Sequence, residues 1–280
     1  MRTIQVHEIK RAIAEMCVEM NCIIGEDILD AFHKNRDTET SPLGRQIISD
    51  LIKNSEIAKE KRMPLCQDTG MVVVFVTLGQ EVHFEGGLLT DAINEGVRMG
   101  YESGFLRKSI VSDPIQRRNT GDNTPAVVYT TLVAGDVCQL QVTVKGFGSE
   151  NMSRIKMMTP ADGLAGLKDF VLDTVLKAGS NPCPPIIVGV GIGGTFEKCA
   201  QLAKQALLRD VGQRHSDSYY SDLEVELLQL INALNVGPQG LGGSTTALDV
   251  FIEPFPTHIA GLPVAVNINC HAARHLSRCF

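Results

Sequence analysis

Pro64-Leu65-Cys66-Gln67-Asp68-Thr69-Gly70 places a thiol, an amide and a carboxylate on three consecutive residues between a proline and a glycine. Directly after it runs Met71 to Leu78, eight residues of strongly apolar character. A short apolar run that begins at a turn reads as a buried strand, so the three polar side chains belong to the loop that enters a sheet. Loops held by rigid elements are where sites are built. Cys66 alone is open to two readings, a presented ligand or a small hydrophobe buried under a surface turn.

Outward from this strand, helical and strand patterns alternate irregularly along the chain. Val6, Ile9, Ile13, Met16, Cys17 and Met20 recur at intervals of three and four and predict a helix over Val6 to Met20 with Cys17 in the core. A second helix is expected from Gly25, with Glu26 and Asp27 in its first turn. A third is expected from the Ser41-Pro42 cap pair through Ile52. Residues 1 to about 60 thus read as a helical lead-in whose tail, Lys59-Glu60-Lys61-Arg62, is a solvated face.

Beyond the strand, Leu88 to Tyr101 reads as a helix and Arg117 to Pro125 as a loop, with Arg117 and Arg118 read as plain solvated charge. Ala126–Val133 and Val137–Lys145 read as the two strands of a hairpin across Gly135-Asp136. The glycines of Lys145-Gly146-Phe147-Gly148-Ser149 fit either a simple turn or exposed amides that receive an anion. Thr159-Pro160-Ala161-Asp162 opens a helix that stops at Gly179.

Asn181-Pro182-Cys183-Pro184-Pro185 then precedes the strand Ile186 to Val190. A cysteine fenced by three prolines reads better as a presented ligand than as core filling. Gly189-Val190-Gly191-Ile192-Gly193-Gly194 satisfies a dinucleotide-binding glycine pattern, but residues 209–217 read as loop where a second strand ending in an acid is required. The glycines therefore read as close helix–sheet packing or as anion-facing amides. Leu223 to Leu234 is an apolar helix, and Thr246–Glu253 and Pro263–Asn269 read as a strand pair, followed by Cys270-His271-Ala272-Ala273-Arg274.

Composition narrows the class. A chain of 280 residues with 44% hydrophobic and 21% charged residues is ordinary for a globular protein. A net charge of -6 supplies no basic field for nucleic acid or an anionic membrane, and the absence of Trp argues against stacking platforms. The start of the chain has no apolar signal segment, and no apolar stretch reaches the roughly 18 residues of a membrane span. A cytoplasmic location is expected. Eight cysteines without any C-x-x-C pair then read as buried thiols, metal ligands or reactive groups.

Three of those cysteines share one context: Cys66 and Cys183 precede apolar strands, and Cys270 follows one. Three thiolates at strand ends suit iron and sulfide, and an iron–sulfur cubane held by three cysteines keeps one iron open as a Lewis acid. Three unrelated buried thiols are the competing reading. The other five lie in helical or alternating patterns or near the terminus, where burial or simple exposure explains them.

Taken in order, Cys66-Gln67-Asp68-Thr69-Gly70, Lys145-Gly146-Phe147-Gly148-Ser149, Asn181-Pro182-Cys183-Pro184-Pro185, Gly237-Pro238-Gln239-Gly240-Leu241-Gly242-Gly243 and Cys270-His271-Ala272-Ala273-Arg274 resemble the class I (iron–sulfur) fumarate hydratase and tartrate dehydratase family, in its two-subunit form the alpha subunit. The resemblance spans nearly the whole chain. It implies a [4Fe-4S] cluster on Cys66, Cys183 and Cys270 with one iron unligated by protein. It further implies dicarboxylate contacts from Gln67, Asp68, Arg107 and the Gly148 amide, and catalytic roles for Asp68 and His258. A separate beta subunit would carry the remaining catalytic residues, and an alpha–alpha dimer is also implied. The alternatives from other classes are a nicotinamide oxidoreductase and a non-catalytic iron–sulfur sensor. The expected architecture is α+β over a single domain of residues 1–280, mixed sheets surrounded by helices after a helical lead-in, with the three cysteine loops at one end.

Overall fold

The computed structural model describes residues 2–280. Along the chain run β1 (Arg2–Gln5), α1 (Val6–Cys22), α2 (Glu26–Thr38), α3 (Pro42–Lys61), β2 (Met71–Gly79), β3 (Val82–Glu85), α4 (Leu89–Ser103), β4 (Val127–Val133) and β5 (Cys138–Lys145). There follow α5 (Phe147–Glu150), β6 (Arg154–Met158), α6 (Gly163–Ala178), β7 (Ile186–Gly193), α7 (Phe196–Ala206), α8 (Ser218–Asn232), β8 (Ala247–Phe255), β9 (Leu262–Asn269) and β10 (His275–Cys279). The α+β class and the three N-terminal helices stand as expected. Among the described residues no helix is long and apolar enough to cross a membrane.

The chain divides into two compact units. One holds residues through Ile24, Ser55–Phe147 and Arg274–Phe280; the other holds Gly25–Asn54 and Gly148–Ala273. In the first unit a four-stranded sheet has the order β10-β5-β2-β4, and β1 pairs in parallel with β3 beside it. Val72, Val74 and Val76 share one face of β2, as period-two geometry requires. That face packs with Leu140, Val142 and Val144 of β5 and with Ile9, Ile13, Met16 and Cys17 of α1 and Ile93, Val97 and Tyr101 of α4.

In the second unit the sheet order is β6-β9-β7-β8. Val188, Val190 and Ile192 of β7 join Leu167, Val171 and Val175 of α6 and Leu223, Leu227 and Ile231 of α8 in one core. The opposite face of β7 carries Gly189 and Gly191 against α7. A Cβ on Gly189 would stand 2.1 Å from the Ala203 carbonyl oxygen, and one on Gly191 2.0 Å from that of Cys199. These glycines let a helix lie on the sheet, and the pattern sits inside a strand rather than at a strand-to-helix turn. Residues 209–217 contain no strand; Asp249 of β8 ties that loop by accepting the Gly212 N–H at 2.7 Å.

Two expected pairings are corrected. β4 and β5 are not hairpin partners, because β2 lies between them, parallel to β4 and antiparallel to β5. β8 and β9 are likewise separated by β7, parallel to β8 and antiparallel to β9. The physical reason is burial: β7 is buried at all eight positions and β2 at its centre, and such strands need a hydrogen-bonded neighbour on each side. Residues 134–137 need only step across one strand, about 10 Å. The Gly79 N–H at the end of β2 donates to Val137 inside that step at 2.7 Å. The short strands β1, β3, β6 and β10 leave no readable signal in the sequence, since four or five residues carry too little period to register.

Candidate active site

In the first unit the Cys66 turn leads into β2 and is gripped by groups from four other segments. Asn21 of α1 accepts the Leu65 N–H at 2.7 Å. The Tyr101 hydroxyl meets the carbonyls of Thr69 at 2.6 Å and Gly70 at 2.9 Å, and Asn123 Nδ2 donates to Gly70 at 3.2 Å. Arg274 donates to the Asp68 carbonyl at 2.9 Å and to Asn21 Oδ1 at 2.8 Å. Asn21, Asn123, Tyr101 and Arg274 are all buried, so each bond forms in a medium where leaving it unmade is costly. Burial pushes the Tyr101 phenol up and keeps it a neutral donor. Gly70, at φ 77, closes the turn against β5, where a Cβ would meet the Lys145 nitrogen at 2.9 Å.

What this scaffold presents is chemical. The Asp68 N–H points at Cys66 Sγ at 3.4 Å. Asp68 Oδ1 accepts the Gly70 N–H at 3.0 Å and Oδ2 that of Phe147 at 2.8 Å, which fixes the carboxylate in orientation. Arg107 Nη1 donates to Gln67 Oε1 at 3.0 Å while the Arg107 carbonyl accepts from Thr69 Oγ1 at 3.0 Å. Gln67, Asp68 and Arg107, chosen from sequence, are therefore brought together. Gln67 and Arg107 remain exposed.

In the second unit Cys183 and Cys270 meet at one end of the sheet, where Ile187 of β7 pairs with Asn269 of β9. Cys183 is exposed and has φ 54, a left-handed conformation that costs a β-carbon-bearing residue roughly 1 kcal/mol. His271 Nδ1 donates to the Cys183 carbonyl at 2.9 Å. Gln239 holds the next carbonyl, that of Pro184, through its backbone N–H at 2.7 Å and its side-chain Nε2 at 2.9 Å. The exposed Gly148 lies beside the loop that leads to Cys183: a Cβ there would stand 3.5 Å from the Asn181 carbonyl oxygen.

His258 is not brought to this group. It lies in the turn after β8, at the end of the sheet where Thr257 Oγ1 donates to the Gly194 carbonyl. The length of β7, roughly 23 Å, separates it from the end that carries Cys183 and Cys270. Its ring nitrogen Nδ1 accepts the Ala260 N–H at 3.2 Å, closing its own turn.

The donor set fits an iron–sulfur group. Cys17, Cys22, Cys138 and Cys199 are buried, and desolvation pushes all four thiols up, Cys17 to about 12, so these stay protonated core residues. Cys66, Cys183, Cys270 and Cys279 reach solvent, and the first three lie in loops at strand ends. No three His, Cys, Asp or Glu side chains among the described residues form a site for a single metal ion. A cluster asks for a different spacing, since each thiolate binds its own iron.

Sequence comparison places this arrangement among known proteins. The model of the fumarate hydratase (Fumerase) family matches residues 10–278. A putative L(+)-tartrate dehydratase subunit alpha of Methanocaldococcus jannaschii is 40% identical over 276 residues, 95% of each chain. The L(+)-tartrate dehydratase subunit alpha of Escherichia coli strain UTI89 is 31% identical over 272 residues, 96% of this chain and 89% of that one. That of Shigella sonnei is 30% identical over the same share. With the match running through all three cysteine loops, this chain belongs to the fumarate hydratase (Fumerase) family of hydro-lyases.

Proposed function

We propose that the chain is the alpha subunit of an iron–sulfur hydro-lyase that reversibly adds water to fumarate to give malate, its active site completed by a separate beta subunit. The observation that carries the reading is the fixed Gln67-Asp68-Arg107 group beside Cys66, in a chain that matches the family over 10–278. The naming of its relatives as alpha subunits supports the separate partner. Residues 1–280 act as one functional domain in this reading, in the cytoplasm.

Cys66, Cys183 and Cys270 would hold a [4Fe-4S] cluster. When bound, the cluster supplies an iron with an open coordination position, a Lewis acid for substrate oxygens. Removing a proton next to a carboxylate adds charge to an acid already ionised, so cationic groups must meet that charge. Arg107 clamps the distal carboxylate, pre-oriented by Gln67 Oε1. Gln67, its amide oxygen engaged by Arg107, serves the substrate as a donor through its amide nitrogen. Asp68 exchanges a proton with the hydroxyl oxygen; its two backbone bonds leave lone pairs on both oxygens for this purpose. The Gly148 N–H donates to a substrate carboxylate. His258 is given no step, since it stands at the other end of its sheet.

L(+)-tartrate is the second reading, favoured by the names of the relatives. Tartrate shares fumarate's charge and length but adds hydroxyl groups, and a site built to bond a hydroxyl discriminates strongly against an analogue without it. The test is anaerobic reconstitution of the cluster, mixing with a candidate beta subunit, and a panel of fumarate and malate, followed by absorbance of the unsaturated acid, and of L(+)-tartrate, followed by the keto acid that its dehydration yields. Turnover of fumarate and malate supports the first reading and turnover of tartrate alone the second. Full activity without any beta chain contradicts the two-subunit scheme, and tight dinucleotide binding revives the oxidoreductase.

A further inference from the structure

Gln239 lies in Gly237-Pro238-Gln239-Gly240-Leu241-Gly242-Gly243, a motif to which the reaction assigns no role. It adopts φ 53 and ψ 17, a left-handed conformation in a side-chain-bearing residue. Cys183 shares that unusual conformation, at φ 54. Such strain persists only where surroundings over-determine it.

The surroundings here are specific. From one residue, a backbone N–H and a side-chain N–H converge on the Pro184 carbonyl at 2.7 and 2.9 Å. The preceding carbonyl, that of Cys183, is held by His271 Nδ1 at 2.9 Å, and Gln239 Nε2 lies 3.3 Å from the same ring nitrogen. Two successive carbonyls that follow the exposed thiol are thus both tied. The far end of the Gln239 loop is anchored in turn: Glu39, buried, accepts the N–H groups of Ser244 at 2.8 Å and Thr245 at 2.7 Å.

We propose that Gln239 is a positioning residue for Cys183, its side-chain amide holding the Pro184 carbonyl one residue beyond the thiol, next to the Cys183 carbonyl that His271 holds. This rests on the reading of Cys183 as a cluster ligand, which it deepens by assigning the outer support of that ligand. Outer partners of this kind set how long a metal group is retained.

Two variants of the full chain test it. Gln239→Gly relieves the left-handed strain and keeps the backbone bond but removes the side-chain donor; Gln239→Glu keeps the size and removes donation at neutral pH. A residue that merely fills its loop predicts that Gln239→Gly is neutral or stabilising. A positioning residue predicts something different. In the cluster-free chain, the alkylation rate of Cys183 by iodoacetamide, read by peptide mass spectrometry against exposed Cys279, rises in both variants while Tm of Gln239→Gly does not fall. In the reconstituted chain, chelator strips the cluster about tenfold faster. Unchanged Cys183-to-Cys279 ratios in both variants overturn the proposal, as does a rise shared by Cys279 and the buried thiols, which marks general loosening. Failure of the wild-type chain to assemble a cluster counts against the cluster reading itself, and the alkylation ratio still decides the role of Gln239.

Discussion

Asp68 Oδ2 accepts the Phe147 N–H at 2.8 Å, joining the turn before β2 to the exit of β5 across 79 residues of chain. With Oδ1 committed to Gly70 N–H, both carboxylate oxygens face backbone donors. An asparagine has one oxygen and an NH2 group, so Asp68→Asn sets a donor against a donor. The expected cost is about 1–2 kcal/mol of stability, since one N–H loses its partner. Turnover in the assembled enzyme falls by about 10²–10⁴ if Asp68 moves the proton. Iron and sulfide content should match wild type. A kcat equal to wild type removes Asp68 from the mechanism.

The glycines of β7 carry a packing prediction that separates two readings of one motif. Gly191→Ala places a methyl 2.0 Å from the Cys199 carbonyl and 2.6 Å from the Ala203 nitrogen, both helix backbone that cannot step aside. Urea unfolding should show a loss of roughly 1–3 kcal/mol at unchanged m value. Were the pattern a phosphate loop instead, the substitution would cost ligand affinity and spare stability.

Helices α1 to α3 and the strands β2 and β7 were legible because their signals are local: three-and-four spacing, a Ser-Pro cap, an unbroken apolar run. Ser41 Oγ does accept the Gly44 N–H at 3.2 Å, as the cap reading requires. Partner choice among strands was not legible. The Gly135-Asp136 turn looks the same whether its strands pair or step around β2, and only the burial of β2 on both flanks decides. Gln67, Asp68 and Arg107 could be named through resemblance. Asn21, Tyr101, Asn123 and Arg274, which hold that turn, could not be given roles, because their bonds join residues 31 to 253 apart and leave no periodic trace. His258 was named through the same resemblance, and only the strand directions show that it stands at the opposite sheet end from Cys183 and Cys270.

Glu39 gives a pH signature. Burial pushes its carboxyl up, but the N–H groups of Ser41, Ser244 and Thr245 outweigh that and hold it at about 2, below the ordinary 4.5. Because the folded value is depressed, the stabilisation is complete above the unfolded value and is lost as pH falls from about 4.5 toward 2. After allowance for screening, the amount is about 2 kcal/mol. Glu39→Gln should lose that amount at neutral pH and show a flatter stability curve across the acid window, measured by urea midpoints at each pH. Parallel curves for the two proteins would remove Glu39 as the source.

Replacing cysteines one at a time separates ligands from core. Cys66→Ser, Cys183→Ser and Cys270→Ser remove thiols that lie at strand ends and reach solvent, and each should abolish the cluster absorbance after reconstitution while Tm of the cluster-free chain changes little. Cys199→Ser acts in the opposite sense. Its sulfur is buried against Ala203 and Ala265 with the Phe196 carbonyl as its one acceptor at 3.3 Å, so a smaller, more polar hydroxyl there costs stability, about 1 kcal/mol, and leaves the cluster bound. Cys279→Ser, exposed on the edge strand β10, should change neither quantity. The pattern is decisive because the two readouts move independently: three variants lose the cluster alone, one loses stability alone, and one loses nothing. A cluster that survives Cys183→Ser, or one that is lost with Cys279→Ser, would assign the ligands differently.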